Sequence, residues 1–295
     1  MVATKRAAWL TKTDGSGKLL LDDPDSGYLC VELDLGYPEV REDKDLRPDV
    51  HGTIDLTRLF GARVVTARLV AWGEDMTQDD IADLFAPFMD VTGRYQLHVT
   101  KDSANGAERV LTLRPSAWVS PMGVPVTREL HLAWIAPDPV MHDGTVHTAI
   151  VYPGSTGGGR VYPLAFNRVY PAGGQTTAKA TNNGDVTAYP LLRIYGPASN
   201  INLLEVLDAS GVVSRINFVA TYSIPAGSYV EIDTLARTVL LNGDTSQSVY
   251  GQLAYDPAGR WPTLPPKQST TWSMAATGIS NATQLQVVWQ DAYLL

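Results

Sequence analysis

Tyr95-Gln96-Leu97-His98-Val99-Thr100 and Glu129-Leu130-His131-Leu132-Ala133-Trp134 decide the fold class. In each, apolar and polar side chains alternate with period two. This is the pattern of a strand with one face in a core and one in water. Tyr229-Val230-Glu231-Ile232-Asp233 and Gln284-Leu285-Gln286-Val287-Val288-Trp289 repeat it in the second half. Turn-forming pairs fall between such runs: Asn105-Gly106, Asn183-Gly184, Asn242-Gly243 and the triplet Pro225-Ala226-Gly227. Asparagine and glycine tolerate the positive φ that tight turns require. Short alternating strands with recurrent turns point to a mainly β chain built as barrels or sandwiches.

One segment has helical spacing instead. In Thr77–Phe88 the apolar residues are Ile81, Leu84, Phe85 and Phe88, which are expected to share one face. Thr77 is placed to cap the helix, with Asp79 and Asp80 in the first turn, where the helix dipole favours negative charge. Pro87 should end or kink it.

Charge divides the chain. Residues 1–139 hold 15 Lys/Arg and 22 Asp/Glu, a balance of −7, whereas residues 140–295 hold 8 and 9, a balance of −1. The joint is Ile135-Ala136-Pro137-Asp138-Pro139, where two prolines stiffen the chain. Two domains follow, 1–139 and 140–295, which fits 295 residues at roughly 150 per domain. The first is expected to be barrel-like with one short helix, the second a β-sandwich.

Several function classes are disfavoured. A net charge of −8 argues against a general nucleic-acid or anionic-membrane binder. The basic pair Lys5-Arg6 is followed by too few apolar residues for a secretory leader, so synthesis in a cytoplasm is expected. The lone Cys30 allows no internal disulfide and is expected to pack as a small apolar group. His142 and His147, five apart with Gly144 between them, would face opposite sides of a strand and make a poor metal pair. Asp22–Gly27 lacks the glycine and terminal glutamate of a calcium loop and reads as a turn. Gly154–Val161 has the gap of a phosphate loop, but Arg160 and Val161 replace its Lys and Ser/Thr, and no helix follows. No nucleophile elbow occurs. No catalytic, cofactor or metal residue is therefore assigned.

The stretch Glu39–Asp49 mixes both signs, which suits contacts between copies of one chain. Arg41, Asp43, Asp45 and Arg47 are candidate contact residues, with Asp55, Arg58 and Arg63 in the strands that follow.

Gly52-Thr53-Ile54-Asp55-Leu56-Thr57-Arg58 and Gly61-Ala62-Arg63-Val64-Val65, followed by a strand and the short helix, resemble the N-terminal domain of siphophage distal tail proteins. The resemblance continues through Asn182-Asn183-Gly184-Asp185, Tyr189-Pro190, Ile224–Ser228, Ile232-Asp233-Thr234, Arg237-Thr238-Val239, Trp261–Leu264 and Val287-Val288-Trp289. It rests on the order of these motifs along nearly the whole chain. It implies a structural, non-enzymatic protein of the virion's tail tip. N-terminal domains would form a hexameric ring joining the tail tube protein to the hub or tail-associated protein of a baseplate. Tape measure protein and DNA would pass through without sequence recognition, with no membrane insertion. The C-terminal domain would be a galectin-like jelly roll. On this reading Asp79, Asp80 and Asp83 are candidates to face the channel, where acidic groups keep DNA from adhering. The alternative is a glycan-binding sandwich for host adhesion, with Trp261 and Trp272 as candidate stacking residues. A wall-degrading hydrolase is the remaining rival, and it lacks a nucleophile.

Overall fold

The computed structural model describes residues 7–46, 53–71, 77–100, 107–119, 129–155, 176–255 and 260–294. They form two compact units, one covering residues 1–144 together with Leu294, the other Thr145–Tyr293.

Unit 1 contains β1 (Ala8–Lys12), β2 (Leu19–Leu20), β3 (Tyr28–Asp34), β4 (Val40–Leu46), β5 (Thr53–Phe60), β6 (Arg63–Ala71), helix α1 (Gln78–Phe85), β7 (Tyr95–Thr100), β8 (Glu108–Val119), β9 (Glu129–Ala136) and β10 (Met141–Asp143). The main sheet is antiparallel and runs β2-β1-β7-β8-β9-β6-β3, with β10 also on β8. Strand β8 changes partner along its length. Glu108–Leu113 pair with β7, and Arg114–Val119 pair with β9. The register slips between Pro115 and Ala117. Proline cannot donate to a ladder, so a break in register is where a strand tolerates it. Among the described residues the path is open, ending at β2 and β3, so the expected barrel is not closed.

The alternation read from sequence sets the core. Tyr95, Leu97 and Val99 on β7, Val65, Ala67 and Leu69 on β6, and Leu130, Leu132 and Trp134 on β9 are buried. Helix α1 lies against β6 and β9 and buries Ile81 and Phe85, with Phe88 buried in the 3-10 turn that follows. Pro87 lies in that turn. Leu84 departs from expectation and is 40% exposed. At 100° per residue it sits roughly 60° from Ile81 on the side away from Phe85, at the edge of a stripe centred on 81, 85 and 88.

Thr77 caps the helix as expected. Its Oγ1 accepts from the Asp80 backbone N–H at 3.3 Å, while the Asp80 carboxylate accepts from the Thr77 backbone N–H at 2.8 Å. Two helix-end donors are satisfied reciprocally, as in a capping box. Thr77→Ala is expected to cost about 1 kcal/mol, read as a lower urea midpoint with an unchanged slope.

Unit 2 contains β11 (His147–Val151), β12 (Gly154–Ser155), β13 (Thr177–Asn182), β14 (Leu191–Tyr195), β15 (Ala198–Leu207), β16 (Val213–Asn217), β17 (Ser223–Ile224), β18 (Tyr229–Asp233), β19 (Thr238–Leu241), β20 (Gln268–Thr277), β21 (Gln284–Trp289) and β22 (Ala292–Tyr293). One sheet runs β11-β21-β14-β18-β19. The other runs β12-β20-β15-β16, with β13 on β20 and β17 on β15. Apart from the short parallel β12–β20 contact, both are antiparallel. Each sheet buries alternate residues. Leu192, Ile194, Val230, Ile232, Leu285 and Val287 are buried in the first; Ala180, Leu203, Ile216, Trp272 and Met274 are buried in the second. Strand β11 of the first sheet lies against β13 and β20 of the second.

Candidate interaction surfaces

In unit 1, β4 and β5 pair, among the described residues, only with each other, from Val40↔Phe60 to Leu46↔Thr53. Arg41, Asp43 and Asp45 stand on β4, and Asp55 and Arg58 on β5. Those five side chains, all of Arg47 and the rest of the 47–52 stretch lie outside what the structure describes. Where the hairpin starts, apolar groups meet water. Val40 and Phe60 are register partners, both about two-fifths exposed, and Tyr37 sets its ring edge-on to Phe60 at 6.3 Å. Val64, four residues beyond, is also exposed. Sequence reasoning picked the charges of this region and missed these apolar residues. Their signal was Tyr37, Val40 and Phe60 bracketing the charged run.

Arg63 does not join that surface. It is fully buried, and its Nη2 donates to the Leu294 carbonyl. Burial lowers its pKa, against the raising influence of Tyr37 and Asp138. A guanidinium committed inside its own unit is removed from the candidate contact set.

Asp79, Asp80 and Asp83 are exposed on α1. Hydrogen bonds from the Thr77 side chain and backbone hold the Asp80 carboxyl below its ordinary range. Asp80 therefore serves the helix end and stays charged.

The histidines divide. His131 is exposed as expected, 3.5 Å from Glu129. His98 is not solvent-facing: its ring stacks on Trp9, with Nε2 2.8 Å from Thr11 Oγ1 and Nδ1 2.5 Å from Glu108 Oε1. His142 pairs with Asp138 at 3.8 Å. His147 stacks on Trp289, 3.9 Å from Asp291. Asp23–Gly27 forms a turn closed by Ser26 donating to the Asp23 carboxylate. Cys30 is half-buried rather than packed in the core.

In unit 2 the motif Asn182-Asn183-Gly184 ties two distant segments, around Leu264 and Ala292, to its own turn. The Asn182 side chain is fully buried. Its Nδ2 donates to the carbonyls of Val186 and Leu264 at 2.7 and 2.9 Å, and its Oδ1 accepts from the backbone N–H of Gly184 and Ala292 at 2.8 and 3.3 Å. Gly184 is required here: a Cβ would stand 1.9 Å from the Ala292 carbonyl oxygen. Asn183 donates from backbone and side chain to the buried Asp291, and Trp289 Nε1 donates to the Thr181 carbonyl.

Trp272 is buried, with Nε1 donating to Thr270 Oγ1 at 2.9 Å, so it cannot stack a glycan. It sits on β20 in the same alternating set as Met274 and Ala276, which fills the core. Trp261 is half-buried and stacks with Tyr250.

Glu205 is a buried acid on β15, and burial pushes its carboxyl to about 7, while hydrogen bonds from Ser214, Thr263 and Thr270 oppose the rise. The folded chain thus holds this proton more tightly than the unfolded chain, where glutamate titrates near 4.5. Stability is full below about pH 4.5 and falls as pH rises through 7, by about 3 kcal/mol in all. Glu205→Gln should abolish this loss, so urea midpoints at pH 5 and pH 8 converge in the variant.

No protein-family model matches the chain, and no curated protein matches it in sequence. Solved structures do match in fold. SPP1 Dit, described as a paradigm of the hub adsorption apparatus of phages infecting Gram-positive bacteria, aligns over 97% of this chain and 99% of its own. The TM-score is 0.61 at 16% identity. The baseplate of phage P2 in its activated conformation with calcium aligns over 97% and 98%, with a TM-score of 0.46 at 12% identity. The chain thus has a Dit-like fold.

Proposed function

We propose that this chain is a structural, non-enzymatic protein of a phage tail tip, a distal tail protein. Six copies close a ring through unit 1 that joins the tail tube protein to the hub, leaving a channel for tape measure protein and DNA. The observation that carries this reading is the likeness in fold to Dit over 97% of this chain and 99% of that one. Unit 2 is read as the galectin-like jelly roll, supported by its two sheets, each with one buried face.

The surface of unit 1 supports self-assembly. A β4–β5 pair whose sequence carries both charge signs, with exposed Tyr37, Val40 and Phe60 where it starts, offers the apolar and polar groups that interfaces combine. The −7 balance of residues 1–139 and the exposed Asp79, Asp80 and Asp83 suit a lumen that repels phosphate. No helix among the described residues is long and apolar enough to cross a membrane.

Light scattering on Tyr37→Asp/Phe60→Asp tests the interface. The double variant is expected to run as a protomer with an unchanged circular-dichroism spectrum, where the native chain runs as a ring. Ring-sized particles in the variant would place the interface elsewhere.

A further inference from the structure

The buried acid Glu205 has no part in the tail reading. It stands on β15 in the buried set with Ile201 and Leu203, 3% exposed. Its register partners are Ser214 on β16 and Trp272 on β20. Hydrogen bonds from the Ser214 and Thr270 side chains and from the Thr263 backbone N–H reach its carboxyl, while Oε1 is buried without a partner. Thr270 Oγ1 accepts from Trp272 Nε1, which leaves its own hydroxyl proton for Glu205. Among the described residues no charge contributes to the titration of Glu205. The nearby charges lie on the other faces of these strands. Arg215 is exposed on β16, and Asp208 pairs with Lys179 at 2.9 Å and accepts from Thr271, on the opposite side of β20 from Trp272.

The segment that meets this acid is Trp261-Pro262-Thr263-Leu264-Pro265-Pro266. Proline has no N–H, so Trp261, Thr263 and Leu264 are its only backbone donors. Leu264 is tied firmly. Its N–H donates to the Ala188 carbonyl at 2.8 Å, and its own carbonyl accepts from the Ala188 N–H and from Asn182 Nδ2, both at 2.9 Å. The Thr263 N–H goes to Glu205. The segment is therefore hinged at Leu264 and fastened at Thr263 by a carboxyl.

We propose that Glu205 is a proton-operated latch: neutral, it keeps the strap 261–263 closed, and ionised, it opens the strap to admit water. Three observations support it. An ionised carboxylate whose Oε1 meets no donor is costly in a buried site, whereas the neutral acid is tolerated there. The three hydrogen bonds favour the ionised form, yet burial outweighs them and carries the carboxyl to about 7. What the ionised form lacks is thus water. Strand β15 cannot yield to let water in, because β16 and β20 bond it on both sides, whereas the strap hangs from Leu264. With the strap open the carboxyl titrates nearer its ordinary 4.5, so the closed form holds the proton more tightly. The advantage of the closed form is full below about pH 4.5, falls as pH rises, and is gone above about pH 7. The latch is independent of the tail assignment.

The test is amide-resolved hydrogen exchange of the full chain at pH 5 and pH 8, each rate divided by the intrinsic rate at that pH. The Thr263 amide should open at least about tenfold more at pH 8 than at pH 5. Urea up to about 1 M should leave its rate unchanged while speeding the amides of Leu192 and Ile194 on β14, because a local opening exposes little surface and global unfolding exposes much. In Glu205→Gln the Thr263 amide at pH 8 should keep the rate the native chain shows at pH 5. Ser214→Ala removes a hydrogen bond that favours the ionised form, so the opening should level off at a higher pH than in the native chain. The proposal is overturned if the corrected Thr263 rate is the same at both pH values, or if the rise persists in Glu205→Gln. It is equally overturned if urea speeds Thr263 as steeply as Leu192, which would mean that the strap opens only when unit 2 unfolds. Should Glu205→Gln fail to fold, Ser214→Ala decides, and a levelling pH that does not move up overturns the latch.

Discussion

Asn182→Ala is expected to destabilise unit 2 by about 4 kcal/mol, a large effect for one polar side chain. Four hydrogen bonds vanish together, and they belong to segments 82 and 110 residues away as well as to the local turn. The groups left behind are backbone donors and acceptors in a buried site, where each unmade bond costs the full desolvation. Native-state hydrogen exchange should show the loss. Amides around Gly184, Leu264 and Ala292 should exchange much faster, while those of β6, β7 and β9 keep their protection. Exchange rates equal to those of the native chain would mean that the loop is held by packing alone.

Phe85→Ala should cost unit 1 roughly 3–5 kcal/mol, because the ring is fully buried and its removal leaves a void. Tyr28 meets Phe85 edge-on at 5.9 Å, so the substitution also removes an aromatic pair. Leu84→Ala, on the exposed edge of the same helix, should cost well under half as much. Urea melts of the two variants provide the comparison. Equal losses would mean that α1 is not anchored by its 81/85/88 stripe.

Local pattern made much of this legible in the sequence. Period-two runs mark Tyr95–Thr100, Tyr229–Asp233 and Gln284–Trp289 as strands with the observed bounds, because alternation is a property of the strand itself. The Thr77 cap is legible for the same reason, since both partners of the capping box lie within one turn. Long-range facts were not. Nothing near Pro115 says that β8 trades β7 for β9, and nothing near Asn182 names Leu264 or Ala292 as partners. Trp272 follows Thr271 and Trp261 follows Arg260, a polar neighbour in each case. Only the tertiary fold puts one in the core and the other against Tyr250 in an open cleft. Arg63 shows the converse error: a charge assumed to face outward is folded inward to reach Leu294.

The central claim concerns assembly, and electron microscopy of the purified chain combined with its native mass tests it most directly. The account predicts closed rings with six-fold symmetry, a mass six times the 32.0 kDa of one chain, and an open central channel. A protomer at every concentration tried, or rings of another symmetry or without a channel, would contradict it.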